Sequence, residues 1–140
     1  MANGSPSTSA SIGLLLMRLG AGGMLLYGHG WGKLMHFSER AATFADPLGV
    51  GHARSLVLAI FAEVVCSLCV MLGFGTRFAA VPIVFMLGVI AFQVKAGTPF
   101  GERELALVYA LPFLLLVFTG AGRFALDAKF EPRVTFKGGK

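Results

Sequence analysis

The chain has 140 residues, of which 56% are hydrophobic and only 14% charged, with a mean hydropathy of +0.76. A soluble domain runs nearer to about 45–50% apolar with about a quarter of its residues charged, so a single membrane-embedded domain is expected in preference to an unusually apolar soluble helical protein. The net charge of +5 does not signal nucleic acid, because five of the twelve basic residues lie from Arg123 onward, where a cytoplasmic flank collects Lys and Arg.

Residues 1–11, MANGSPSTSAS, carry no charged side chain and read as a disordered N-terminus. They lack the basic start of a secretory signal, so the helix behind them is expected to remain in the mature protein. That first span, expected at 12–33, is long enough to cross a bilayer yet contains Arg18, His29 and Lys33. At about 100° per residue, positions 22, 29 and 33 fall about 40°, 20° and 60° from Arg18, which gathers Arg18, Gly22, His29 and Lys33 into one polar stripe. An embedded cation costs roughly 2.5–3.5 kcal/mol at mid-membrane, so the stripe must face protein, water or a ligand. Gly28 and Gly32 form a GxxxG pair that admits a second helix, so a homo-oligomer through this glycine-rich helix is expected.

Residues 34–53 make the only long loop. Ser38 is placed to cap a short helix through Asp46 that Pro47 then stops. Phe37 and Phe44, seven apart, suit an interfacial helix, and an ordinary structured loop fits equally well. The second span, 54–72, carries Glu63 near its middle and ends at Gly73 and Gly75. The third is expected at 77–95, with Pro82 early and Gln93 late. After a Gly/Pro turn the fourth runs over 104–121, with Pro112 as a kink. A basic tail, 123–140, follows.

Four spans joined by short turns predict an all-α membrane protein, a four-transmembrane-helix up-down bundle over 12–122 with both termini on one side. That side collects Arg77, Arg123, Lys129, Arg133, Lys137 and Lys140. The other has Lys33, Arg40, Arg54, Lys95 and Arg103, mixed with acidic residues. The continuous basic tail favours cytoplasmic termini.

The same topology gathers polar residues in one half of the bundle: His29, Lys33, Gln93, Lys95, Glu104 and Tyr109 around Glu63. A carboxylate at mid-membrane must pair with a cation, hold a proton or line a wet cavity. Arg18, Lys33 and His29 are its available partners, and a buried pair that only fixes helix register is the competing reading. Lone His29 does not make a metal site, Lys95 reads as snorkelling to the interface, and Gln93 and Tyr109 suit interhelical hydrogen bonds. Cys66 and Cys69 share a CxxC spacing inside an apolar helix. They read as packed thiols in preference to a redox pair, which needs an exposed helix N-terminus.

The order of short motifs then resembles a known family. Arg18-Leu19 is followed by Gly28-His29-Gly30 and Gly32-Lys33-Leu34, then Phe44-Ala45, Glu63 and Leu72-Gly73 with Thr76-Arg77. Glu104 before Tyr109 and Gly120 to Phe124 with Leu126-Asp127 complete it. This series, over about 12–128, resembles the DoxX family of small bacterial and archaeal membrane proteins. Two positions depart from it: Gln93 stands where a His is common, and Ala125 where a Ser is usual. The resemblance implies a four-helix fold in the cytoplasmic (inner) membrane and an association with quinone-linked respiratory complexes of the thiosulfate:quinone oxidoreductase kind.

Two functions follow as expectations. In the first, the protein is a quinone-linked redox component working with a redox partner subunit in the lipid bilayer. Glu63, His29 and Lys33 then do the chemistry, and Arg18, Gln93, Glu104 and Tyr109 hold the quinone. In the second, the chain is a non-catalytic membrane subunit or anchor whose polar cluster is structural. Transport by a monomer is disfavoured because no internal repeat is visible.

Overall fold

The computed structural model describes residues 6–130, and all regular structure among them is helical. Four long helices dominate: α1 (Thr8–Met35), α3 (His52–Leu72), α4 (Thr76–Val94) and α5 (Phe100–Thr119). Two single turns accompany them, α2 (Phe37–Arg40) and α6 (Asp127–Phe130). α1, α3 and α4 are long and apolar enough to cross a membrane. α5 is as long but opens on Glu102, Arg103 and Glu104, which leaves a shorter uncharged stretch behind them.

The boundaries differ from expectation at polar caps. α1 begins at Thr8, inside the stretch expected to be disordered, because the Ser7 hydroxyl accepts from the Ala10 amide at 3.2 Å. Residues 1–5 and 131–140, the ends of the expected disordered N-terminus and basic tail, lie outside the described residues. The helix expected from Ser38 through Asp46 stops at Arg40. Asp46 instead spends its carboxylate on the amides of Val50 and Gly51, at 3.0 and 2.8 Å, and on the Ser55 hydroxyl at 2.7 Å.

α4 packs along α5, and α1 lies against both α3 and α5. Leu25, Val70, Ile83, Leu87, Phe113 and Leu116 fill the space between the four helices. Elsewhere large apolar side chains point outward; Leu16, Tyr27, Phe78, Phe85, Leu111 and Phe118 are all more than half exposed. A surface of that kind is unsuited to water and fits a lipid bilayer.

At one end the chain ties itself together. α3 closes in a left-handed cap at Gly73, whose amide donates to Val70 while that of Phe74 donates to Cys69. Asp127 then reaches back across the turn, its carboxylate accepting from Gly75 at 2.7 Å and Thr76 at 3.0 Å, and so caps α4. The Asp127 and Leu126 amides donate in turn to Gly73 and Leu72. Gly73 is required twice over: its φ is +74°, and a Cβ there would collide with the Arg18 guanidinium and Ala125.

Three of the long helices share a further irregularity. Each contains one π segment, Leu26–Gly30 in α1, Phe61–Cys66 in α3 and Ile90–Val94 in α4. A π turn holds one more residue than an α turn. The Trp31 amide accordingly donates to Leu26, and that of Lys95 to Ile90, five residues back. The consequence in α1 is a change of face. Buried positions run Ser11, Arg18, Gly22 and Leu25, then jump five residues to Gly30.

Candidate functional site

The inserted residue decides which side chains meet. Regular 3.6-residue geometry places His29 on the same stripe as Arg18, whereas the π segment brings Gly30 to the buried face instead. Gly30 lies so close to α3 that a Cβ would approach Val64 at 2.9 Å and the Glu63 backbone and Cβ at 3.0 Å. Three residues further on, Lys33 is carried over that contact. Its Nζ donates to both oxygens of Glu63, at 2.7 and 2.6 Å.

This is a closed, bidentate ion pair, with Glu63 only 2% and Lys33 15% exposed. Glu63 sits in the π segment of α3, near the middle of the helix. Each charge would be costly there alone, so the two are stable only together.

The pair lines a cavity of about 420 Å³. α3 contributes Leu58, Ala59 and Ala62; α4 contributes Pro82, Met86 and Ile90. The loop between α2 and α3 closes over it with Phe44, Ala45, Pro47 and Leu48. Pro82 has no amide to donate to the carbonyl four residues before it, which loosens α4 beside the cavity. Apart from Lys33, Glu63 and Ser55 every lining side chain is apolar, and Ser55 is engaged with Asp46. The volume falls in the range of about 300–1,000 Å³ usual for small-molecule sites.

The loop is fixed from outside. His52 Nδ1 lies 2.6 Å from the Phe44 carbonyl, and Asp46 gathers Val50, Gly51 and Ser55. The Ser55 hydroxyl first and the Gly51 amide next hold the Asp46 carboxyl below the usual carboxylate range. Gly49 and Gly51, with φ of +67° and +110°, make the bends.

The other residues expected in the site are placed elsewhere. Arg18 is not a partner of Glu63: it is fully buried at the opposite end of α3. Its Nη2 donates to the Phe124 carbonyl at 2.7 Å, and Nη1 to those of Val70 and Met71 at 3.5 Å. It therefore joins the Gly73–Asp127 tie, a better match for a cation than a helix middle, because the last carbonyls of α3 carry the negative end of its dipole. His29 turns toward α5 and packs edge-on against Tyr109, with centroids 5.6 Å apart and an interplanar angle of 86°. Neither ring lines the cavity. Gln93 and Glu104 are exposed and do not line it either. Lys95 pairs with Glu102 at 3.6 Å on the surface.

Gly28 and Gly32 have nothing within 4 Å in the single chain, which leaves the expected GxxxG face open, and within α1 the close approaches to α3 are made by Gly22 and Gly30. Cys66 and Cys69 are free thiols, and no metal-ligating group of three or more acidic, His or Cys residues occurs among the described residues. Sequence reasoning missed the loop's part in the cavity. Pro47 reads as a helix stop and Phe44 as part of an interfacial face, and the signal that binds them there, Asp46 against Ser55, spans nine residues.

Comparison with known proteins adds the family. The DoxX family model matches residues 13–96, which includes most of α1 and all of α3 and α4. A protein of Haemophilus influenzae, described as uncharacterized, is 38% identical over 109 residues, covering 73% of this chain and 79% of its own length. No solved structure matches.

Proposed function

The chain belongs to the DoxX family, and on that premise we propose that it is a quinone-linked redox component of a bacterial or archaeal cytoplasmic membrane. All four long helices cross the bilayer in this reading, with both termini cytoplasmic. The observation that carries it is the form of the cavity: an apolar chamber of small-molecule size lined by one buried ammonium–carboxylate pair. Lys33 has a third N–H to offer, and it donates to a quinone carbonyl oxygen, polarising it for reduction. Glu63 holds the ammonium in place and relays the proton that reduction takes up. His29, anchored on Tyr109, stands on the neighbouring π segment and supports the position of α1. Electrons come from a substrate or a partner subunit.

The test is mass spectrometry of lipid-soluble material that copurifies with the detergent-solubilised protein and with Glu63→Gln. Quinone held by the wild type and lost from a folded Glu63→Gln supports the proposal. A stable wild type that retains none, and that copurifies with a partner protein, supports the second reading, a non-catalytic subunit or anchor. One observation favours that alternative: both Glu63 oxygens are already taken by Lys33, as in a purely structural tie.

A further inference from the structure

The proposed quinone site has two faces by which a ligand could arrive, and they differ in chemistry. Toward the loop, the cavity is roofed by residues 44–48, and that roof is fastened by the His52–Phe44 contact and by three hydrogen bonds to Asp46. Toward the side, it is bordered by Leu58 and Phe61 of α3 and by Phe85 of α4, which are 52%, 47% and 60% exposed. These three line the cavity and also stand on the outer surface of helices that are apolar enough to span a membrane. The border carries no charged or hydrogen-bonding side chain, so a polar solute gains nothing there, whereas an alkyl chain is as well placed between these side chains as among lipid tails.

We infer that the cavity loads sideways from the bilayer, through the gap between Phe61 and Phe85, and that its ligand is an amphiphile with a long apolar tail. The hydrogen-bond-accepting head lies against Lys33, and the tail leaves between α3 and α4 into lipid. Phe61 and Phe85 select for the tail, and the loop keeps water and tail-less analogues out. This rests on the quinone reading and deepens it by naming the ligand's shape and route.

The experiment uses the full chain in lipid nanodiscs and follows association of two probes, a quinone with a long alkyl tail dissolved in the bilayer and the same ring without a tail added from water. Phe85→Trp narrows the gap and should slow the tailed quinone about tenfold, an effect equal to roughly 1.4 kcal/mol on the entry barrier. Phe85→Ala widens it and should speed entry. Changes of opposite sign cannot both come from a damaged fold. Asp46→Ala unfastens the roof; it should leave entry of the tailed quinone unchanged and admit the tail-less ring, which the wild type excludes. If Phe85→Trp and Phe85→Ala enter at the wild-type rate while Asp46→Ala accelerates the tailed quinone, entry is from water and the inference is wrong, with the quinone site intact. A wild type that binds neither probe overturns the inference together with the quinone reading beneath it.

Discussion

Replacing Lys33 by Met isolates the cost of the buried carboxylate. Glu63 is 2% exposed and both its oxygens depend on Lys33, so losing the cation should destabilise the protein by about 3–5 kcal/mol. Glu63→Leu strands the ammonium instead, but Lys33 is 15% exposed on a flexible stem and faces the cavity. Its loss of partner should cost less, about 1–3 kcal/mol. The double variant Lys33→Met/Glu63→Leu removes both charges in favour of apolar side chains of similar size and should recover most of the loss. With single costs that sum to about 6 kcal/mol and a double variant that keeps about 1 kcal/mol of that loss, the expected coupling energy is about 5 kcal/mol. Unfolding in mixed detergent micelles, followed by circular dichroism for all four proteins, gives the cycle. Single effects that add to within about 0.5 kcal/mol would refute the reasoning, because contacting residues cannot be independent if the pair is closed. The double variant also separates the two functional readings: stability returns in both, but quinone retention returns in neither Lys33→Met nor the double variant if the pair binds ligand.

Gly30→Ala should destabilise by about 1–3 kcal/mol through overpacking against Val64 and Glu63, whereas Gly28→Ala, which meets nothing within 4 Å, should be neutral or stabilising by up to about 1 kcal/mol; thermal unfolding compares them directly. Because its folded-state pKa is depressed, Asp46 fastens the roof fully above the ordinary Asp value of about 3.9 and loses its grip as pH falls through the lower folded value. Hydrogen exchange of residues 44–51 should therefore quicken, beyond the intrinsic pH dependence of exchange, only on acidification below that value, and an Asp46→Asn protein should show no such step. Asp127→Ala removes the cap on Gly75 and Thr76 and should cost about 0.5–2 kcal/mol, with faster proteolysis after residue 120 as the readout.

Much of this arrangement is legible in the residues. Composition gives the membrane class, and a carboxylate such as Glu63 in an apolar helix demands a partner wherever it lies. Three of the four expected spans are long and apolar enough to cross, and Lys33 was among the partners named for Glu63. What the residues do not reveal is a break in helical period. A stripe drawn at 3.6 residues per turn joins Arg18 to His29, while the π segment at Leu26–Gly30 hands the buried face to Gly30 and sends His29 to Tyr109. The π segments in LYGHG, FAEVVC and IAFQV have no shared composition, so they answer to packing and not to propensity. Gln93 and Glu104 were expected inward on helical depth alone, and depth does not fix which way a side chain turns.

The tie at Arg18 bears on how the chain is made. A ribosome completes helix α1, with its guanidinium, long before the carbonyls that receive it exist: Val70 and Met71 come 52 and 53 residues later and Phe124 comes 106 residues later. Until then the nascent helix must keep that charge at the water boundary by extending the side chain outward. Final seating of α1 thus waits until the segment around Phe124 has been made, and that segment acts as the fastening that holds α1 in place.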